Sequence, residues 1–291
     1  METKLAALRG VLLSDGSIDP KRYTVTFTED ECAVLDLIKD FRTINGIKLK
    51  WKTDKHKNSL RARVYSKKLT EFLLSLSPSY RTRKCNTHPR SAFWKTSMPP
   101  TKIPAFIYKN KAAAKIFIRC YISCDGCPQI NFYTRHSKTR YGTIQIQPLL
   151  KIGCDNSDMR QQLVRLLKIL SIKGYNKKGC VAIQNHANIK SFYKTIGFLD
   201  KSRNRKGKNF KGFSKNNILK LLVLCIMLSE KYLWINKNFH DKKSLLIFFR
   251  KCLLFLQHQN YKDLNKFVKK STGFGIDISY LQSNTGRVRS L

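Results

Sequence analysis

The chain has 291 residues and a formal net charge of +39, from 57 lysines and arginines against 18 acidic residues. A chain this basic repels itself unless a polyanion is present, so we expect nucleic acid as its partner. The start of the chain lacks the layout of a signal peptide, and the longest apolar stretch, residues 218–229, is too short to cross a bilayer. We therefore expect no membrane partner.

Two nine-residue segments repeat each other: residues 8–16 (LRGVLLSDG) and residues 118–126 (IRCYISCDG). Each is an apolar helical run that carries two small residues one turn apart and ends in Asp-Gly. Asp15 and Asp125 therefore lie at equivalent ends of two predicted helices, 110 residues apart. Scarce carboxylates placed symmetrically in a basic chain favour metal-dependent attack on a phosphate backbone.

The same order of elements follows each Asp-Gly: a strand pair, a helix, a second strand pair and a second helix. In the first copy the pattern predicts strands at 17–18, 23–28, 47–53 and 60–66 and helices at 31–44 and 67–77. In the second copy it predicts strands at 128–136, 143–147, 172–177 and 181–185 and helices at 158–170 and 187–196.

The chain therefore divides into four parts. These are a first repeat (residues 1–85), a linker rich in proline and basic residues (86–111), a second repeat (112–206) and a basic extension (207–291). In the extension, apolar periodicity predicts helices at 217–234, 242–257 and 261–270.

Alternation in the strands of the first repeat predicts a cationic sheet face. Five basic side chains alternate with apolar ones: Lys48, Lys50, Lys52, Arg61 and Arg63. Such a face suggests contact with phosphates, and the alternative is an ordinary solvated surface. At equivalent places the second repeat carries polar side chains suited to hydrogen bonds with base edges in a major groove. These are Asn131, Tyr133, Arg135, Thr143, Gln145 and Gln147.

Nine cysteines without a secretory leader indicate reduced thiols. Cys124 and Cys127 have the spacing of a zinc ligand pair, but no second pair follows at finger distance. We expect them, with Cys120, to be small packing residues.

The two motifs, the repeated element order and the lead-in at residues 103–107 resemble the LAGLIDADG homing endonucleases in their single-chain, two-motif form. The resemblance covers about residues 5–206. It implies an α+β fold of two pseudo-symmetric αββαββα repeats, followed here by a helical C-terminal extension. The two motif helices would pack side by side, and two curved sheets would straddle duplex DNA as a saddle.

The resemblance further implies a site-specific, intron-encoded endonuclease that hydrolyses one phosphodiester on each DNA strand across the minor groove. Asp15 and Asp125 would be the catalytic acids and would bind Mg²⁺ or another divalent cation such as Mn²⁺. The backbone carbonyls of Ser14 and Cys124 would help to hold the metal. By the repeat register, Arg83 and Arg203 would lie near the scissile phosphates, with Lys201 as a competitor.

The main alternative is an RNA-binding intron maturase on the same fold, which would have no need to keep both Asp15 and Asp125. A DNA-binding regulator without cleavage is a third reading. We expect double-stranded DNA with a long target site as partner, with intron RNA as a further candidate. We also expect a monomer and an intracellular location, in an organelle or in the cytoplasm.

Overall fold

The computed structural model describes residues 2–29, 32–39, 41–56, 59–80, 100–137, 140–204, 209–229, 239 and 241–282. The first repeat contains α1 (Glu2–Asp15), β1 (Gly16–Asp19), β2 (Thr24–Glu29), α2 (Cys32–Lys39), β3 (Thr43–Ile44), β4 (Ile47–Lys48), β5 (Lys52–His56), β6 (Ser59–Tyr65) and α3 (Lys67–Leu76).

The second repeat follows a short helix α4 (Ala105–Lys109). It contains α5 (Lys111–Asp125), β7 (Gly126–Ser137), β8 (Arg140–Gly153), α6 (Ser157–Ile169), β9 (Tyr175–Lys177), β10 (Cys180–Ile183) and α7 (His186–Thr195). The extension contains α8 (Lys215–Ser229), α9 (Lys242–Gln257), α10 (Tyr261–Thr272) and α11 (Ile278–Gln282).

Each repeat builds a four-stranded antiparallel sheet with the same strand order. The order is β1-β2-β6-β5 in the first repeat and β7-β8-β10-β9 in the second. In both sheets the strand that follows the motif helix, β1 or β7, lies at one edge, and the third strand of that sheet in chain order, β5 or β9, lies at the other. The predicted α+β fold of two pseudo-symmetric repeats is therefore confirmed.

The two motif helices, α1 and α5, pack against each other at backbone distance. A Cβ atom added to Gly10 would lie 2.5 Å from the carbonyl oxygen of Phe117 and 2.9 Å from the Cβ of Cys120. Residues 6–13 of α1 are all buried, as are both alanines and every apolar side chain from residue 113 to residue 122 of α5. Small residues at the contact allow this close approach, as the repeated motif predicts.

The predicted strand at residues 47–53 is wrong. Asn45 and Gly46 have positive φ angles of 49° and 74°, and they form a two-residue turn between β3 and β4. Asn-Gly is a dipeptide that favours a tight antiparallel hairpin. The first strand of this hairpin, β3, occupies the end of the predicted helix at 31–44, so the helix is shorter than predicted. Lys48 therefore belongs to a separate two-stranded sheet, and Lys50 lies outside the strands.

The end of the predicted linker is folded into the core. Ile103 and Ile107 are buried, and the Ile103 amide donates to Gln162 Oε1 of α6 at 2.7 Å. The Lys102 amide donates to Ser77 Oγ, just after α3, at 2.9 Å. This segment thus ties the first repeat to the second, and α5 starts at Lys111, one residue inside the predicted linker.

The C-terminal extension packs on the face of the second sheet that carries Phe132, the face opposite the predicted base-reading side chains. The ring of Phe132 in β7 stacks on Phe249 of α9, with centroids 6.0 Å apart. The hydroxyl of Tyr193 in α7 donates to the carbonyl of Leu281 at 2.7 Å. In the part of the chain that the structure describes, the helices lack the length and hydropathy needed to cross a membrane.

The contact at Gly10 generates a stability prediction. Gly10→Val should lower the free energy of unfolding by about 1–3 kcal/mol, because its Cβ meets the Phe117 backbone, which cannot yield as a side chain can. Denaturant unfolding measures this change. Ala112→Val, at an exposed position of α5, is the matched control and should stay within about 0.5 kcal/mol of the parent. Equal stability of the two variants would contradict the packing described here.

Candidate active site at the motif helix ends

Asp15 and Asp125 are the last residues of α1 and α5, and the charges of both influence the thiol of Cys124. Burial and the negative charges of Asp15 and Asp125 raise the pKa of Cys124 well above its usual value, and a hydrogen bond with Ser14 acts in the opposite direction. One side chain thus lies within interaction range of both motif carboxylates. The structure thus brings together four of the predicted site residues, whose chemical roles stay predictions: Ser14, Asp15, Cys124 and Asp125.

The glycine after each acid sets the direction of the chain. Gly16 and Gly126 begin β1 and β7 directly after the helices. A Cβ on Gly16 would lie 2.7 Å from the Cα of Leu12, and a Cβ on Gly126 would overlap Ile122. Only glycine leaves room for the strand to fold back over the last helical turn, and this fixes where each aspartate emerges. Asp125 is 9% exposed, and Asp15 is partly exposed.

Two buried arginines at equivalent motif positions anchor the helices. Arg9 donates to the hydroxyl of Tyr80 and to the carbonyl of Lys102, the latter at 2.7 Å. Arg119 donates through Nε to the carbonyl of Ile196 at 2.5 Å. Burial lowers the pKa of both guanidinium groups. Each motif helix is thereby tied to the segment that follows the last helix of its own repeat, a role that the sequence analysis missed.

Hydrogen bonds from within α5 and from later segments of the chain hold its last turn. Ser123 Oγ donates to the Arg119 carbonyl at 2.7 Å and accepts from the Leu199 amide at 2.8 Å. The carbonyls of Ser123 and Cys124 accept from Lys215 Nζ, at 2.6 Å and 3.4 Å. The predicted metal ligand at the Cys124 carbonyl therefore already faces an ammonium group. In α1, Ser14 Oγ donates to the carbonyls of Gly10 and Val11.

The predicted basic residues have different outcomes. Arg83 lies outside the described residues. Arg203 is exposed, and its backbone forms a bridge with Ser214. The next residue, Asn204, accepts at Oδ1 from the Cys127 thiol at 3.4 Å, so this loop lies beside the start of β7. Lys201, the competitor, lies 3.8 Å from the Asp36 carboxylate of α2.

The polar face of the first sheet is not purely cationic. Alternation in β6 is confirmed, since Ala62 and Val64 are buried while Arg61 and Arg63 lie opposite. Asp54 of β5, however, accepts from both arginines. Its contacts are 3.2 Å and 2.6 Å with Arg61 Nε and Nη2 and 2.9 Å with Arg63 Nη2. Together with the displaced Lys48 and Lys50, this makes the predicted five-cation face wrong, because one carboxylate offsets part of the charge.

The second sheet carries the predicted polar set in register. Asn131 pairs with Gln147, Tyr133 with Gln145, and Arg135 with Thr143. The Tyr133 hydroxyl donates to Gln147 Oε1 at 3.1 Å. The alternate residues Ile130 and Ile144 are buried on the opposite face. The side chains of Arg135 and Thr143 lie outside the described part of the strands.

The donor set at the helix ends fits a hard divalent cation. Asp15 and Asp125 supply carboxylate oxygens, and Mg²⁺ is usually held by one or two carboxylates together with substrate phosphates and water. Among the described residues, groups of three or more His, Cys, Asp or Glu side chains in metal-binding position do not occur. Cys120 lies in the α1–α5 contact and Cys127 bonds Asn204, so both act as packing residues.

Comparison with solved structures places LAGLIDADG proteins beside this chain. I-AabMI bound to uncleaved DNA is 10% identical, with a TM-score of 0.48 over 87% of this chain and 97% of that one. I-DmoI in complex with DNA and Ca is 17% identical, with a TM-score of 0.41 over 66% and 87%. The N-terminal LAGLIDADG domain of DUF199/WhiA is 14% identical, with a TM-score of 0.37 over 69% and 83%.

No protein-family model and no curated protein sequence matches the chain. The three solved structures named above are LAGLIDADG proteins, and the two-repeat fold of this chain is shown by its own helix and strand order.

The effect of the Asp15 charge on the Cys124 thiol can be tested by alkylation. Asp15→Asn should lower the thiol pKa and raise the iodoacetamide reaction rate at pH 8.5 about threefold to tenfold, because the thiolate is the reactive form. Peptide mass spectrometry of labelled Cys124 measures the rate. Asp19→Asn, at the last residue of β1, is the control and should leave the rate unchanged. Equal rates in both variants would place Asp15 away from Cys124.

Proposed function

We propose that this protein is a metal-dependent endonuclease that hydrolyses both strands of a specific DNA duplex, as an intron-encoded homing endonuclease does. The observation that carries the proposal is the convergence of Asp15 and Asp125 at the ends of two helices in backbone contact. Both repeats belong to one chain, so we propose that it acts as a monomer, in an intracellular compartment that holds its DNA target.

In the proposed mechanism, Asp15 and Asp125 would hold the divalent cation, Mg²⁺ or Mn²⁺, and each would face one scissile phosphate. The bound cation supplies charge neutralisation and a more acidic water. Two neighbouring carboxylates repel each other, and a bound divalent cation would relieve that repulsion. Arg203, in the loop beside β7, supplies a positive charge near the second phosphate.

The two sheet faces divide the work of DNA binding. Lys52, Arg61 and Arg63 in the first repeat contact phosphates, which position the duplex without reading its sequence. In the second repeat, amide and hydroxyl side chains suited to base edges follow one another along the β7–β8 hairpin. These are Asn131, Tyr133, Gln145 and Gln147.

Cleavage of a randomised duplex library with and without Mg²⁺ tests the activity, the metal requirement and the length of the target site together. We expect linear products at one sequence family and only with the divalent cation. Binding of structured intron RNA without cleavage of any duplex would replace this proposal with the maturase reading.

The two motif acids give the sharpest variants. Asp15→Asn and Asp125→Asn should each abolish double-strand cleavage of the selected site while DNA affinity stays within about threefold, because neither carboxylate adds to the positive charge that binds phosphate. Asp19→Asn is the control and should cut like the parent protein. Double-strand breaks at the parent rate in either motif variant would contradict the assignment.

Asp54 provides a test of the sheet face. Asp54→Asn should strengthen DNA binding and steepen the salt dependence by roughly one unit of log K per log salt, because it releases Arg61 and Arg63 toward phosphate. Fluorescence anisotropy at several salt concentrations measures both effects. Weaker binding would show instead that Asp54 holds the arginines in their binding geometry.

A further inference from the structure

Lys215 is a buried lysine that the sequence analysis did not single out. It is the first residue of α8, 90 residues after Asp125, and its side chain is 6% exposed. Its backbone amide donates to the carbonyl of Ser202 at 2.8 Å. The loop that leads to it is closed on itself, because the Asn204 amide donates to the Phe213 carbonyl at 2.9 Å. The position of Lys215 is therefore fixed by both the loop and the helix.

The ammonium group of Lys215 lies at the carboxyl end of the motif helix α5. Nζ is 2.6 Å from the carbonyl of Ser123 and 3.4 Å from that of Cys124, the two residues before Asp125. The last carbonyls of a helix lack partners within the helix and carry partial negative charge, so a cation there is stabilised. The Phe198 ring, 5.9 Å away, covers the same group.

The same ammonium also influences the Cys124 thiol. Asp15, Asp125 and Lys215 all interact with the Cys124 thiol, the carboxylates raising its pKa and Lys215 lowering it. The C-terminal extension thus brings a positive charge to the last turn of α5, which ends at Asp125.

We propose that Lys215 is a positioning residue for the Asp125 half of the site: it holds the last turn of α5 through the Ser123 and Cys124 carbonyls and so fixes where Asp125 meets its phosphate. The C-terminal extension is then part of the catalytic unit. This inference rests on the proposed nuclease function.

The matched control lies five residues further along the same helix. Lys220 is also buried, at 4% exposed, and its Nζ donates to the hydroxyl of Tyr261 at 2.6 Å. Replacing Lys220 removes a buried ammonium from α8 without touching α5. A variant there reports the loss of stability alone.

The experiment follows a supercoiled plasmid that carries the selected target site. The parent protein should convert it to the linear form, and its failure to cut would refute the nuclease proposal rather than the role of Lys215. Lys215→Met should accumulate nicked plasmid with the nick always in the same strand, because the second cut slows at least about tenfold. Lys220→Met should give no strand bias.

Lys215→Gln keeps one donor without the charge, and it replaces the methionine variant if the latter does not fold. We expect the glutamine variant to show the same strand bias to a smaller degree. Equal slowing of cleavage on both DNA strands would assign Lys215 a purely structural role. Unchanged cleavage rates on both strands would show that Lys215 has no role in cleavage. Failure of both Lys215 variants to fold, while Lys220→Met folds, would likewise overturn the proposal.

Discussion

The backbone contact between α1 and α5 is the constraint on which the rest of the structure depends. Gly10 lies against the Phe117 carbonyl, so the two motif helices meet at backbone distance and leave no room for a larger side chain at this point. The helices end at Asp15 and Asp125, and the following glycines direct the chain into β1 and β7. The helix contact and the two glycines together determine where both carboxylates emerge.

The two repeats share the same strand order but differ in the side chains that their sheets carry. The first sheet carries Arg61 and Arg63 on a shared carboxylate, whereas the second carries amide and hydroxyl groups along a long hairpin. The second repeat is also covered by the C-terminal helices, through Phe132 and Phe249. Under the proposed function, one half of the duplicated unit would bind phosphate and the other would read bases, while the two motif acids keep equivalent positions at the helix ends.

Much of this could be predicted from local sequence, and the failures have physical causes. The motif ends, the small residues at the helix contact and the alternation of Ala62 and Val64 with the arginines all follow from short-range periodicity. The Asn45-Gly46 dipeptide itself predicts a hairpin turn, whereas the sequence analysis assigns a helix (31–44) before it and one long strand (47–53) after it. By contrast, Arg9, Arg119 and Lys215 are charged residues whose burial depends on distant acceptors, such as the Ile196 carbonyl. No local pattern reveals those partners.

The most direct test of the account is an anomalous difference map from crystals of this protein bound to its selected duplex in the presence of Mn²⁺. The account predicts manganese between the carboxylates of Asp15 and Asp125, at the junction of α1 and α5 and next to the scissile phosphates. Manganese bound elsewhere, or carboxylates that point away from one another, would contradict it.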